Sequence, residues 1–480
     1  MFEAGLIING RDVPIDGRPV FERRDPLSDA VITRATSALA ADALDAAGAA
    51  AAAFEGWSGM AGAERAAILR AAAANIAARA GEVVAIAAEE IGSAEGWTRY
   101  NTAIAVQMLE QAAGLCTDPE LDETRAESPD PMVGYHLRRR PAGVVLGMAP
   151  WNAAVALATR AVAAPLACGN TVVLKASELC PKTHEWVARA IIDAGLPKGV
   201  LNYVTSAPER AAELAEALIG HPAVRRVNFT GSTRIGREIA QICARHLTPC
   251  LLELSGKSTL VLLDDADPDL AADAAAHGAF FNQGQICMST ERIVADDRVA
   301  DAFLQRFAAR AVALRSTASG APLGQLISPQ AVLRLRGLVD DALARGARLV
   351  TGGEIYNRVM EPTILDGVTP DMRLYGEEAF GPVAAIIRVG DAEEALSVAN
   401  DTEFGLAASV FGADTARAWA LARRIEAGIL HVNGSTVFDD PMMPFGGVKA
   451  SGWGRFGGRD AIHEFTERQW ITVREGRRAG

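Results

Sequence analysis

A chain of 480 residues exceeds what one hydrophobic core serves, so roughly two to three domains are expected. Half of the residues are hydrophobic, which excludes a disordered chain, and the formal net charge of −12 argues against a nucleic-acid or anionic-membrane partner, because phosphate recognition needs a basic face. Six scattered cysteines without CxxC spacing, and an N-terminus without a basic stretch leading into a long apolar core, read as reduced thiols in a cytoplasmic protein.

In chain order, Asn9-Gly10 between short apolar runs marks a hairpin over Leu6 to Val13. Ala38 to about Leu115 is Ala-rich with helical spacing and predicts several helices. Ala126 to Arg140 is polar and extended. The uncharged window Pro141 to Thr159 is interrupted by Pro141, Gly143, Gly147, Pro150 and Asn152, so a strand, a turn and a buried helix fit it better than a membrane span. Strands are then expected at Val144–Leu146, Thr171–Lys175, Val200–Val204 and Arg226–Phe229. Helices are expected between and after them at Ala153–Ala164, Lys182–Ala194, Glu209–Ile219 and Thr233–His246. This alternation predicts a parallel, doubly wound α/β sheet with ligands at the carboxyl ends of its strands. No GxGxxG fingerprint follows any of these strands. A second alternating stretch is placed from Cys250–Leu254 and Leu260–Leu263 to about Asn433, and a last strand at Gln469–Val473 follows the Gly-rich run Gly446 to Gly458.

Several segments could carry chemistry. In Phe281-Asn282-Gln283-Gly284-Gln285-Ile286-Cys287 a cysteine follows a polar, glycine-containing turn, where backbone N–H groups favour a thiolate. A lone cysteine is otherwise a small buried hydrophobe, as the other five are read. Glu253 interrupts an apolar strand, and burial there would lift its pKa toward a general-base value; a paired structural carboxylate is the alternative. Asn152 follows the Val144 strand and could donate to an oxyanion or simply cap a helix. Phe229-Thr230-Gly231-Ser232 runs from a strand into a helix whose N–H groups could face a pyrophosphate. Lys175 and Glu178 stand where a ribose would lie, unless they are solvated charges. Gly256-Lys257-Ser258 is not a phosphate loop, since Leu251 stands where that motif needs glycine. The histidines are scattered and His184-Glu185 lacks the zincin partner, so no metal site is expected.

Taken together and in order, Pro150-Trp151-Asn152, Lys175-Ala176-Ser177-Glu178, Phe229 to Thr233, Glu253 to Lys257, Gly284 to Cys287, Glu377 to Pro382 and Pro444 to Gly447 resemble the aldehyde dehydrogenase superfamily over nearly the whole chain. Glu253 and Cys287 lie 34 positions apart, which also looks like that family. The resemblance implies two doubly wound, Rossmann-like domains and a small β oligomerisation element. It divides the chain into an NAD-binding domain at 1–116 and 140–249, a catalytic domain at 250–434, and oligomerisation strands at 117–139 and 460–480, with a homodimer or homotetramer as the assembly. It implies Cys287 as nucleophile, Glu253 as general base, and Asn152 with the Cys287 backbone N–H as oxyanion hole. It also implies that Lys175 and Glu178 meet the adenosine ribose, Trp151 and Ser232 the pyrophosphate region, and Glu378 and Phe380 the nicotinamide-ribose side, with Ser177, Gly231 and Leu254 also among the cofactor-binding residues. Glu178 would repel a 2′-phosphate, favouring NAD over NADP. The family's glycine-containing loop before the FTGST motif is replaced here by Thr205-Ser206-Ala207-Pro208-Glu209.

Leu174 to Pro181, Val227 to Thr233 and Asn282 to Arg292 are similar to the salicylaldehyde and vanillin dehydrogenases of bacteria. This narrower likeness implies an aromatic aldehyde, of salicylaldehyde, vanillin or benzaldehyde type, in a pocket of Trp97, Arg160, Ile286, Met288 and Phe445. A Trp against the ring and an Arg facing a phenolic oxygen are physically sensible. The competing picture makes Arg160 a solvated helix charge and Trp97 ordinary core. An aliphatic aldehyde or semialdehyde is the alternative substrate, and a CoA-acylating enzyme fits less well because Glu253 suits water as acceptor. From other classes, a cysteine esterase would turn over without cofactor, and a non-catalytic protein on this fold would show no activity.

Overall fold

The structure, a computed structural model, describes residues 1–25, 28–314 and 323–474; residues 475–480 of the expected C-terminal oligomerisation segment lie outside them. Asn9 and Gly10 both adopt left-handed backbone, φ 53° and 65°, as a two-residue hairpin turn requires, and join strands Leu6–Ile8 and Arg11–Val13. The Ala-rich region forms four helices, Ala40–Ser58, Gly62–Ala78, Ala80–Ile91 and Glu95–Leu115.

The first large sheet has the strand order Gly452–Trp453, Cys250–Glu253, Val224–Thr230, Val144–Met148, Thr171–Lys175, Leu201–Val204, Leu6–Ile8, Arg11–Val13. Its five central strands are parallel. The chain leaves the Val144 strand in one direction, through Thr171–Lys175 and Leu201–Val204, and then returns to its other side with Val224–Thr230. The strand order therefore reverses between Val144–Met148 and Val224–Thr230, and the crevice beyond their carboxyl ends is where such sheets take ligands. The helix after the first of these, Ala154–Ala167, is buried along its whole length, which accounts for the charge-free window.

Two readings shift. Strand Cys250–Glu253 was expected to open the second stretch, but it lies beside Val224–Thr230 in the first sheet, with Thr230 opposite Glu253. The break between the sheets falls after Glu253, because parallel pairing to an apolar neighbour buries Leu251 and Leu252. The helix expected from Glu209 begins at Ala211 after a single 3-10 turn at Pro208–Arg210, since proline supplies no N–H to a preceding turn.

The second large sheet runs Arg348–Thr351, Thr363–Asp366, Val383–Val389, Thr290–Asp296, Ser258–Leu262, Ala407–Phe411, Ile429–Val432, parallel except for its first pair. Leu254 to Lys257 links the carboxyl end of a first-sheet strand to the amino end of the Ser258–Leu262 strand, so the two sheets meet end to end. A third, antiparallel sheet pairs Thr466–Arg474 with Val133–Pro141, and Val133–Pro141 with Thr124–Ala126. The mixed α/β architecture is the one expected. Among the described residues no single helix is long and apolar enough to cross a membrane.

Candidate active site

Cys287 leads into the amino end of the Thr290–Asp296 strand, opposite the crevice of the first sheet. The turn before it is built from three consecutive left-handed residues, Asn282 (φ 47°), Gln283 (φ 54°) and Gly284 (φ 67°). Only at Gly284 is that backbone without steric cost, and a Cβ there would collide with the Gly381 carbonyl. Two glutamines pin the turn from outside: Gln283 Oε1 accepts from Gly324 N at 2.8 Å and Gln285 Oε1 from Ile327 N at 3.0 Å. Ser289 Oγ donates to the Gly284 carbonyl at 3.0 Å. The other five cysteines include no second one in this cavity.

Asn152 arrives from the crevice, in the turn after Val144–Met148. Its Nδ2 donates to Gln285 O at 3.0 Å, which uses one of its two amide protons. Its backbone carbonyl accepts from Trp97 Nε1 at 2.8 Å and from Asn282 Nδ2 at 3.1 Å. The residue is therefore tied to the nucleophile turn through both backbone and side chain, and it lines the same cavity as Cys287.

Glu253 ends its strand 1% exposed, and its Oε1 finds no hydrogen-bond partner. Burial pushes its pKa up to about 7, against smaller opposing contributions from the neighbouring Cys287 thiol and Thr230 hydroxyl. The Cys287 thiol is in turn raised well above its ordinary value, first by burial and then by the Glu253 carboxylate beside it. A carboxyl group poised near neutrality against a thiol is suited to move protons at that sulfur.

The five residues expected around a substrate, Trp97, Arg160, Ile286, Met288 and Phe445, all line this cavity, which measures about 460 Å³ with its mouth. Trp97 is thus both a wall and a support for Asn152, while also packing into the buried core. Trp97, Tyr100 and Phe281 pack edge to face or stacked, with ring centres 4.9 to 5.7 Å apart. Arg160 is 7% exposed, so the solvated alternative fails. Tyr100, Leu157, Val437 and Asp439 also line the cavity and carried no sequence signal, because each stands alone between motifs.

The expected cofactor residues lie at the end of or after the strands Val144–Met148, Thr171–Lys175, Val224–Thr230 and Cys250–Glu253 and before the strand Val383–Val389. Ser232 caps the helix Thr233–His246, accepting from Ile235 N at 3.4 Å. Leu254 packs so tightly on Gly236 of that helix that no side chain would fit there. Lys175 and Glu178 lie 4.0 Å apart, and burial lowers the Lys175 pKa while Glu178 opposes the shift. The Ser177 hydroxyl turns inward and accepts from Leu179 N at 3.2 Å. Trp151 and Phe380 meet edge-on at 6.0 Å, with Phe380 in left-handed backbone at φ 46°. Glu378 Oε1 accepts from Gly256 N at 3.1 Å, and burial, then Glu291, lifts its pKa to about 7. Sequence reasoning missed Glu291: it takes Lys257 Nζ at 2.8 Å and the N–H groups of Ala379 and Phe380 at 2.7 Å each, fixing the Glu378–Phe380 turn. In the loop that departs from the glycine pattern, Thr205 and Ser206 are fully buried, and Thr205 O accepts from Ala38 N at 2.9 Å.

This joining of fold and site occurs in known proteins. The chain belongs to the aldehyde dehydrogenase family, whose sequence profile matches residues 14–471, and it is accordingly an aldehyde-oxidising enzyme. It is 50% identical to a vanillin dehydrogenase of Pseudomonas fluorescens over 483 aligned positions, covering 100% of this chain and 99% of that one. The crystal structure of a salicylaldehyde dehydrogenase from Pseudomonas putida G7 complexed with salicylaldehyde superposes with a TM-score of 0.96 at 42% identity, covering 99% of both chains. A benzaldehyde dehydrogenase [NAD(+)] of Pseudomonas putida is 37% identical over 86% of this chain and 84% of that protein.

Proposed function

We propose that this enzyme oxidises aromatic aldehydes to their carboxylic acids with NAD, through a thioester on Cys287. The observation that carries the reading is the single cavity in which Cys287 and Asn152 meet a wall of Trp97, Tyr100, Ile286, Met288 and Phe445. Flat apolar surface of this kind suits an aryl ring. The named relatives act on vanillin, salicylaldehyde and benzaldehyde, which supports the same substrate class here.

The Cys287 thiol loses its proton to solvent, and the thiolate attacks the aldehyde carbon. The oxyanion forms against the remaining N–H of Asn152 Nδ2 and the backbone N–H of Cys287. When bound, the nicotinamide supplies the acceptor for the hydride that leaves the thiohemiacetal carbon. The thioester that remains is attacked by water, which gives its proton to Glu253, and the acid departs with the thiol regenerated. The residues present fit that cofactor: at the start of the helix Thr233–His246 the N–H groups of Thr233 and Ile235 are held by Ser255 Oγ and Ser232 Oγ, which leaves those of Ser232 and Arg234 for a pyrophosphate. Trp151, Leu254, Glu378 and Phe380 border the nicotinamide side, and Lys175, Ser177 and Glu178 the distal ribose, where the Glu178 carboxylate disfavours a 2′-phosphate. Assembly into a homodimer or homotetramer is part of this reading, supported by the outward Trp470, Ile471 and Val473 on the exposed edge strand Thr466–Arg474.

The test is a kcat/KM panel of benzaldehyde, vanillin, salicylaldehyde and straight-chain aldehydes with NAD and NADP. Aromatic aldehydes should lead by at least about tenfold, the worth of burying one more side of a ring, with NAD ahead of NADP. Faster turnover of straight-chain aldehydes would overturn the substrate class.

A further inference from the structure

Arg160 and Asp439 meet where charge is costly. Arg160 stands on the wholly buried helix Ala154–Ala167, its Nη2 donates to Asp439 Oδ2, and its guanidinium lies 4.1 Å from the ring centre of Phe445 and 5.9 Å from that of Phe456. A guanidinium already neutralised by one carboxylate and stacked on an aromatic face has little left to offer a second carboxylate, such as the free end of a semialdehyde acid. Asp439 is less satisfied than its partner. Its side chain is 13% exposed, and its second oxygen, Oδ1, is sealed from water with no hydrogen-bond partner. Tyr100, the neighbouring phenol in the cavity, does not reach it. A dehydrated carboxylate oxygen of this kind wants a donor, and a group that brings one into the cavity gains a charge-assisted hydrogen bond.

Position reinforces the point. Asp439 lines the Cys287 cavity and also a second cavity on the far side of Phe445, beside Met108, Gln111 and Met443. Its segment is tied to the nucleophile loop, because Thr436 Oγ1 donates to Met288 O at 2.7 Å. A ring held by Asp439 would thus be registered against the same backbone that carries Cys287.

We propose that Asp439 is a specificity-determining residue: its carboxylate, turning the sealed Oδ1 toward the cavity that the side chain lines, accepts the hydrogen bond of a ring hydroxyl, so the enzyme selects hydroxybenzaldehydes in their neutral phenol form over unsubstituted rings and over aldehydes that carry a carboxylate. This rests on the aromatic-aldehyde reading above and adds the donor that the substrate must bring. Arg160 is then the residue that holds Asp439 in place, not the anion receptor of the pocket.

The experiment measures kcat/KM with NAD for 2-, 3- and 4-hydroxybenzaldehyde, the matching fluorobenzaldehydes, benzaldehyde and straight-chain aldehydes, in the wild type and in Asp439→Asn. Fluorine has nearly the size of a hydroxyl and no proton. In the wild type at least one hydroxy isomer should exceed its fluoro counterpart by about ten- to a hundredfold, the range for a hydrogen bond to a charged acceptor. Asp439→Asn should erase that ratio while changing benzaldehyde turnover far less. The wild-type ratio carries the test even if the variant folds poorly. Equal rates for hydroxy and fluoro substrates, or an equal loss for all of them in Asp439→Asn, would reduce Asp439 to a support for Arg160 and overturn the proposal alone. Inertness of every aromatic aldehyde beside rapid turnover of straight-chain ones would instead overturn the aromatic reading, and this proposal with it.

Discussion

At the scale of single residues, Glu253 shows a functional group held against its own preference. With its pKa lifted from 4.5 to about 7, the native protein keeps a proton that the unfolded chain releases between those values. The contribution of this group to stability therefore falls as pH rises from 4.5 to about 7, and the full penalty, up to about 3 kcal/mol, remains above that. Glu253→Gln, which stays neutral, should unfold several degrees higher than wild type at pH 8 and at the same temperature at pH 4, as thermal melts would read. A difference independent of pH would contradict the buried, ionisable state. The pH dependence of thioester hydrolysis should rise through the same region, since only the carboxylate takes a proton from water. Glu253 and Cys287 each stand out in the sequence by a physical oddity, a charge in an apolar strand and a thiol after a polar turn, but the roles proposed for them came from the ordered motifs taken together and the family resemblance. Asp439 and Glu291 were not legible, because Arg160 lies 279 positions from Asp439, and the Ala379 and Phe380 N–H groups that Glu291 fixes lie 88 and 89 positions from it.

Among the elements, the turn from Asn282 to Gly284 sets the position of the sulfur. Three left-handed residues in succession are costly, and the surrounding hydrogen bonds to Gly324, Ile327 and Ser289 hold them there. Gly284→Ala adds a Cβ that meets the Gly381 carbonyl, next to the Phe380 turn of the cofactor side. It should cost about 1–3 kcal/mol in stability and lower kcat more than stability alone explains, by displacing Cys287 from Asn152. Thermal melts and kcat measured together check this, and an unchanged kcat would mean that the turn tolerates movement. The strand Thr171–Lys175 and the helix Thr233–His246 match their sequence-based bounds because glycine, proline and Ser232 punctuate them. The pairing of Leu252 with Trp453 had no local signal, since an antiparallel partner some two hundred positions away leaves no trace in periodicity.

At the scale of the whole molecule, the site exists because the carboxyl ends of one sheet meet the amino ends of the other. Asn152 and Glu253 come from the first sheet and Cys287 from the second, so neither sheet alone would carry the proposed chemistry. The doubly wound pattern was readable from alternating strands and helices and the second such domain came from family resemblance, but the end-to-end meeting of the two sheets was not read from the sequence, because periodicity reports neighbours within a layer only. The Thr466–Arg474 edge strand presents Trp470 64% exposed, Ile471 and Val473, an unblunted edge of the kind that pairs with another copy. Trp470→Glu should lower the sedimenting mass of the assembly; an unchanged mass would remove this edge from the interface. The central claim, a covalent acyl group on one sulfur, is tested most directly by mixing Glu253→Gln with benzaldehyde and NAD, quenching in acid and mapping the peptides by mass. The account predicts a benzoyl group on the peptide containing Cys287, formed with one equivalent of NADH and absent in Cys287→Ala. NADH formation with no acyl group on that peptide, or with the group on another cysteine, would contradict it.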